Sequence, residues 1–166
     1  VSDFKTENGI PLKIGDYKNG NGNLKEYYDN GSLKSIKSFS DTLLNGEAKY
    51  FHKNGKVKSI SNFKNGNRTG NYFEYYANDS LAIKSFFIDG LEQGEYFEYY
   101  PSGKLKTKGF YNENYEDSLW VEYHENGNIF SKGFYFEGLP FGYWVTFYEN
   151  GNYHTEGGYI LGKAEG

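Results

Sequence analysis

The sequence contains no cysteine, no methionine and only three prolines among its 166 residues. Without cysteine, the chain can form neither disulfides nor thiolate metal sites. No apolar run approaches the length of a membrane span or of the hydrophobic part of an export signal. The net charge is −4 and lysine and glutamate are interspersed without a basic block, so nucleic acids and anionic membranes are poor candidates as partners.

Aliphatic residues are also scarce. Hydrophobic residues make up 37% of the chain, and the mean hydropathy is −0.82. Aromatic residues compensate in part, with 18 tyrosines, 14 phenylalanines and 2 tryptophans. Because tyrosine combines an apolar ring with a polar tip, it can line a surface that is half wet. This composition indicates a thin structure with little deep interior.

Glycine recurs with a period of 24 residues, which marks an internal repeat. One column of glycines follows asparagine or serine in a turn, with Asp79 at the one missing place, and consists of Gly31, Gly55, Gly103, Gly127 and Gly151. Another column, with Ser118 as its exception, consists of Gly22, Gly46, Gly70, Gly94, Gly142 and Gly166. Further columns are Gly66, Gly90, Gly138 and Gly162, and Gly109, Gly133 and Gly157. Aromatic residues follow the same period in Tyr27, Phe51, Tyr75, Tyr99, Tyr123 and Phe147.

Each repeat is predicted to form a β-hairpin. In the repeat that begins at Gly94, the aromatic segment 95–100 predicts a strand, and Pro101-Ser102-Gly103 a tight turn whose glycine takes a positive φ. Segment 104–112 is the returning strand. Chaining these hairpins predicts an all-β fold, an elongated single-layer antiparallel meander of about 13 strands. Residues 1–166 would form a single array of about six full repeats and a partial N-terminal repeat.

Strict alternation of side chains from this turn predicts which residues share a face of the sheet. The predicted buried face carries Phe97, Tyr99, Leu105, Thr107, Gly109 and Tyr111. The predicted solvent face carries Tyr96, Glu98, Tyr100, Lys104, Lys106, Lys108 and Phe110. On the solvent face Glu98 would lie opposite Lys106, a cross-strand pair of opposite charge.

Aromatic columns on the predicted solvent face are the strongest functional signal. One column grows from Leu24 and Ala48 through tyrosine to tryptophan towards the C-terminal end, and large aromatic rings dominate interface hot spots. The candidate partner-binding residues are Tyr72, Tyr96, Tyr100, Trp120, Trp144 and Tyr148. The alternative is that these rings pack on one another and shield the sheet.

No catalytic residue, metal site or cofactor is predicted. His52 and His124 stand three repeats apart in one column, roughly 25–30 Å from each other by strand spacing, so they cannot share a metal. Glu74 and Glu98 recur at the repeat spacing and fit a ladder paired with lysine better than a glycosidase pair. No serine is tied to a histidine and an acid by its context.

The repeat resembles the MORN repeat, specifically the variant found in bacterial proteins described as YwqK-type antitoxins. The resemblance is carried by segments such as 94–108, G-E-Y-F-E-Y-Y-P-S-G-K-L-K-T-K, and extends from about Asn8 to Gly166. It implies a single-layer antiparallel sheet and a role in protein–protein interaction, self-association or scaffolding. The antitoxin label would make the partner a toxin protein. The family has no catalytic residues to carry over.

Two functional hypotheses follow. The first is a non-catalytic protein-binding or scaffold module; the alternative is a carbohydrate- or cell-wall-binding aromatic repeat. Because methionine is absent, Val1 follows either a removed segment or a trimmed boundary, which favours a bacterial exported or cell-envelope location over the cytoplasm. No distinctive cap precedes Gly166, so we expect the array to continue or its edge strand to pair with a second molecule.

Overall fold

The computed structural model describes residues 13–165, which form one 14-stranded antiparallel sheet. Consecutive strands are neighbours, except that the short β7 pairs only with β6, so the predicted all-β meander is confirmed. The predicted start near Asn8 and the glycine at 166 lie outside the described residues. The strands are β1 (Gly22–Tyr27), β2 (Leu33–Ser40), β3 (Leu43–Phe51), β4 (Val57–Lys64), β5 (Asn67–Tyr75), β6 (Leu81–Ile88), β7 (Leu91–Glu92), β8 (Gly94–Tyr99), β9 (Leu105–Asn112), β10 (Tyr115–Tyr123), β11 (Ile129–Phe136), β12 (Leu139–Phe147), β13 (Tyr153–Ile160) and β14 (Lys163–Glu165).

The turn within each repeat has the predicted form. The Tyr100 N–H donates to the Lys104 carbonyl and the Gly103 N–H to the Tyr100 carbonyl, both at 2.8 Å. Gly103 has φ 84°, and Asp79, which replaces glycine in the preceding repeat, has φ 74°. Aspartate tolerates this left-handed conformation better than most residues, which explains why the turn survives the replacement.

Tight turns also connect one repeat to the next. Two consecutive residues have positive φ, as in Asn65 (50°) and Gly66 (86°). This is the type I′ geometry that matches the twist of two antiparallel strands. Glu113 (52°) and Asn114 (71°) form the same turn without glycine. Each repeat therefore contains two hairpins, one within it and one shared with its neighbour.

Bulges interrupt the alternation of side chains twice per repeat. Close to the inner turn, Tyr99 pairs with Leu105 whereas Glu98 pairs with Thr107, so Lys106 is an extra residue. Close to the type I′ turn, the register jumps between Asp117 and Val121. The second bulge falls on the glycine column of Gly94, whose members have positive φ, and Ser118 adopts φ 60° there.

The predicted assignment of faces is wrong because it assumed alternation without these bulges. Residues paired across strands share a face, and the observed register pairs Tyr96 with Gly109 and Phe97 with Lys108. We call the first surface the tryptophan face; its central residues are Tyr72, Tyr96, Glu98, Thr107, Gly109, Tyr111, Trp120 and Trp144. We call the opposite surface the phenylalanine face; it carries Phe97, Lys108, Phe110, Leu119, Val121, Phe134 and Phe141.

The sheet has only a thin interior, as the composition indicated. The buried apolar residues in the described chain are Ala48, Ala82, Phe87, Trp120 and Val121. Small hydroxyl side chains are buried as well, namely Ser35, Ser59, Ser61, Ser85, Thr107 and Ser131. Most other side chains are half-buried or exposed because they contact only their neighbours on the same face.

Candidate interaction surfaces

Four of the six predicted partner-binding residues form one column on the tryptophan face, and their rings are packed against neighbouring side chains. Trp120 is only 7% exposed, and Tyr72, Tyr96 and Trp144 are half-buried. Trp120 contacts Tyr96 and Tyr111 with ring centroids 5.6 and 5.2 Å apart. The solvent exposure that the sequence suggested is therefore wrong for Trp120. A role of these residues in partner binding stays a prediction.

Glycine provides the space for the two tryptophan rings. A Cβ atom on Gly109 would collide with the Trp120 indole, and one on Gly133 would collide with the Trp144 indole. Neither glycine has a positive φ, so it is the close approach of the ring that requires glycine at these two positions. The Trp144 indole N–H also donates to the Phe134 carbonyl at 3.2 Å.

Ring size along this column changes in step with the facing column. At the N-terminal end, Lys37 is the register partner of Ala48. In the following repeats a small residue of the facing column accompanies each ring. Towards the C-terminal end, these pairs are Ser61 and Tyr72, Ser85 and Tyr96, Gly109 and Trp120, and Gly133 and Trp144. As the ring grows, the residue beneath it shrinks. The gradient therefore fits the alternative that the sequence left open, in which these rings pack within the sheet.

The remaining two predicted residues, Tyr100 and Tyr148, belong to a ladder at the inner turns. The Tyr100 hydroxyl donates to the Tyr123 carbonyl, 23 residues later, at 2.7 Å. His124 occupies the same column and bonds the Phe147 carbonyl through Nε2 at 2.9 Å. A carbonyl only accepts, so Nε2 carries the proton. The equivalent bonds link Tyr28 to Phe51, His52 to Tyr75 and Tyr76 to Tyr99. Tyr148 is 52% exposed and instead stacks on His154, with ring centroids 4.2 Å apart.

Carboxylates on the tryptophan face are held by neighbouring donors. Lys106 forms an ion pair with Glu98 at 2.7 Å, although Glu98 pairs in register with Thr107 and not, as predicted, with Lys106. Hydrogen bonds from Lys37 and then Ser35 lower the pKa of Glu26. Burial raises the pKa of Tyr111 to about 12. These groups support one another structurally, and none is arranged as an acid–base pair around a cleft.

An exposed apolar surface, which the sequence analysis missed, covers the C-terminal half of the phenylalanine face. Leu119 pairs in register with Phe134, and Phe134 pairs with Phe141, so these side chains form a continuous row across three strands. Tyr143 is 73% exposed. We call this surface the apolar strip; its exposed residues are Phe86, Ile88, Leu91, Phe110, Tyr115, Leu119, Phe134, Phe136, Leu139, Phe141 and Tyr143.

Charged residues of opposite sign border the apolar strip on its two sides. On the inner-turn side lies a row of exposed lysines, Lys84, Lys108 and Lys132. On the other side the type I′ turns carry the exposed acids Asp89, Glu113 and Glu137. Shallow depressions place these acids beside residues of the strip: Glu113 and Glu137 line one with Tyr115, and Asp89 lines another with Ile88 and Leu91. Within residues 13–165 neither row takes part in an ion pair.

Other kinds of site find little support in the described part of the chain. Residues 13–165 include no group of three or more histidine, aspartate or glutamate side chains placed to hold a metal ion. They also include no helix of the length and apolarity that crossing a membrane requires.

A sheet of this kind, built from repeats of two hairpins, defines a class of repeat proteins that present extended surfaces. The family model of the MORN repeat variant matches residues 21–41, 44–65, 68–89, 92–113 and 116–137. The chain therefore belongs to the MORN repeat variant family, and is a repeat module of the kind that serves in binding or scaffolding. No curated protein matches the chain.

Proposed function

We propose that this protein is a non-catalytic protein-interaction module and that its apolar strip is the contact surface. The observation that carries the proposal is the run of exposed side chains from Phe86 to Tyr143 on one face. A half-exposed aromatic or leucine side chain offers ~100 Å² of surface, so the strip amounts to roughly 1,000 Å². Monomeric proteins rarely expose more than about 300–600 Å² in one apolar patch, and larger patches usually mark interaction sites.

The non-catalytic character rests on how the reactive side chains are used. His52 and His124 are engaged with backbone carbonyls in the turn ladder. Glu98 and Glu122 accept hydrogen bonds from Lys106 and Ser131. These side chains join neighbouring strands, which is a structural role.

The toxin partner suggested by the antitoxin resemblance is a narrower form of the same function, supported by the net charge of −4, which favours a basic partner. Glycan binding has weaker support. Sugars stack on open, flat rings, whereas the Trp120 indole is packed against Gly109 and 7% exposed.

Photo-crosslinking in the native cell tests the proposal. A photoreactive amino acid replaces Tyr143 in the apolar strip, and a matched variant carries it at Glu47, which occupies the same column in the N-terminal half and pairs in register with Asn62. We expect crosslinks to protein from position 143 and none above background from position 47. The captured protein also decides between a toxin, a second copy and another partner. Equal labelling at the two positions would overturn the proposal.

A further inference from the structure

We infer that the occupant of the apolar strip is a second copy of this chain, packed face to face around a twofold axis that runs along the strip, across the strands. The inference rests on the proposed function of the strip and names its partner. It follows from the order of the charges on the two borders of the strip and from the period in which they recur.

The borders are complementary to each other under this symmetry operation. A twofold axis along the strip reverses the strand direction of the second copy, so its acidic turn row lies over the lysine row of the first. The register is preserved along the axis because both rows recur every 24 residues, five positions apart in the same hairpin. Lys108 then faces Glu113 of the partner, and Lys132 faces Glu137 of the partner. An axis parallel to the strands would instead place acids over acids.

The free charges on both borders favour this arrangement over a different protein. None of the three lysines or the three acids is used in an ion pair within residues 13–165. The lysine ammonium groups lie only over ring faces, such as that of Lys132 at 5.9 Å from the Phe147 centroid. An unrelated partner would have to present both signs with a pitch of two strands, or ~9.6 Å. A second sheet of the same repeat has that pitch on both borders.

The apolar centre of the contact lies on β10, β11 and β12. Phe110 has the carboxylates Glu95 and Asp117 as its register partners, so its surroundings are less suited to burial. Phe134 is flanked by Leu119 and Phe141. Two sheets packed on such a surface lie ~10 Å apart with strands about 30° from parallel, as in β-sandwiches. The available ~1,000 Å² per copy exceeds the ~800 Å² per partner of a standard interface.

Charge reversal tests this geometry by sedimentation velocity on the purified chain over a concentration series. One variant carries Lys108→Glu and Lys132→Glu, and a second carries Glu113→Lys and Glu137→Lys. We expect the wild type to dimerise, each variant alone to dimerise at least about tenfold more weakly because like charges now face each other, and an equimolar mixture of the two to regain the wild-type affinity. The control, Lys58→Glu with Lys64→Glu, has the net charge of the first variant and should dimerise like the wild type.

Three outcomes would overturn the inference. A wild type that remains monomeric up to about 1 mM would exclude a significant dimer. A dissociation constant of that size corresponds to a binding free energy of only about 4 kcal/mol. Reversal variants that dimerise normally would place the contact elsewhere, for example at a sheet edge. A mixture that stays monomeric while the wild type dimerises would exclude the twofold axis along the strip. In each of these cases crosslinks from position 143 to another protein would still support the proposed function.

Discussion

The N-terminal and C-terminal halves of the sheet share one backbone pattern but differ on both faces. On the tryptophan face, Ala48 of the N-terminal half corresponds to Trp120, three repeats later in the C-terminal half, and Lys37 corresponds to Gly109 over the same distance. On the phenylalanine face, most places of the apolar strip are polar in the N-terminal half, namely Ser38, Ser40, Asn62, Lys64, Asn67 and Asn71, whereas Leu43, which corresponds to Leu139, is 49% exposed. The comparison shows that a repeat backbone can be kept constant while packing and surface chemistry are changed independently, one column at a time.

The largest expected effect is on the packing of the C-terminal half. Trp120→Ala removes a buried ring from a packed cluster and should lower the free energy of unfolding by about 3–5 kcal/mol. Ala48→Gly, in the same column of the N-terminal half, should cost less than about 1 kcal/mol. Urea denaturation measures both. If Trp120→Ala left the stability unchanged but weakened a partner, the ring would be a binding residue, as the sequence analysis first suggested.

The space under the ring gives the next effect. Gly109→Ala places a Cβ atom against the Trp120 indole and should destabilise the sheet by about 1–3 kcal/mol. Gly157→Ala is the matched control, since the nearest atom to its Cβ would be a Tyr159 ring carbon at 3.9 Å. Combining Gly109→Ala with Trp120→Ala should be less harmful than the sum of the two by about 0.5–3 kcal/mol. Additive losses would show that ring and glycine are not coupled.

Alkaline pH should act mainly on the tyrosines of the tryptophan face. Burial raises the pKa of Tyr111 to about 12, and burial also raises the pKa of Tyr96 and Tyr135. Because the folded state holds these protons more tightly than the unfolded state, stability is complete below pH ~10 and falls as the pH rises towards 12. Denaturant midpoints over this range measure the fall. Tyr111→Phe should flatten it, because position 111 then has no phenol to lose a proton.

A bulge position offers a gain in stability. Ser118 has φ 60° where the other described repeats have glycine. Ser118→Gly relieves left-handed backbone strain of about 1–2 kcal/mol, but glycine loses more backbone entropy on folding. The variant should therefore be more stable by about 0.5–1 kcal/mol. The reverse change in the N-terminal half, Gly70→Ser, should destabilise by a similar amount. A destabilised Ser118→Gly would mean that the Ser118 hydroxyl bond to Asp117 outweighs the strain.

The smallest expected effect on stability is at the apolar strip. Phe134→Asn introduces the residue that the N-terminal half has at Asn62, and the side chain is 50% exposed. The free energy of unfolding of the monomer should change by less than about 0.5 kcal/mol. A large loss of stability in dilute protein would show that Phe134 supports the fold itself. The apolar strip would then not distinguish the C-terminal half as a contact surface.

The sequence predicted the repeat, its turns and the meander, because glycine and the aromatic residues recur in phase at places where the backbone demands them. It did not predict the faces. A single extra residue such as Lys106 moves every following residue of the strand to the opposite face of the sheet. No polar–apolar pattern in the sequence indicated this extra residue. Only the second bulge had a signal in the sequence, the glycine column of Gly94, since a glycine inside a strand often marks a bulge. The glycine at 109 similarly signalled a ring above it.

The candidate site was harder to predict because its residues do not form regular columns. Phe134 has asparagine and serine as its equivalents in the first repeats, so a search for repeated aromatic positions passed over it. Trp120 and Trp144 attracted attention because their column grows towards the C-terminal end, but the facing column changes in step with it, down to Gly109 and Gly133. In such a protein, a difference between repeats indicates an interaction surface more reliably when no neighbouring column compensates for it.

The strand order has a mechanical consequence. Every strand on the main path is bonded only to the strand before it and the strand after it, so tension applied to the two ends of the chain strips strands from the outside and breaks their bonds one after another. Such unzipping needs little force. Each repeat that detaches frees 24 residues, which extend by about 80 Å at ~3.3–3.6 Å per residue. Under load, the molecule would therefore lengthen in equal steps while the repeats that remain keep their shape.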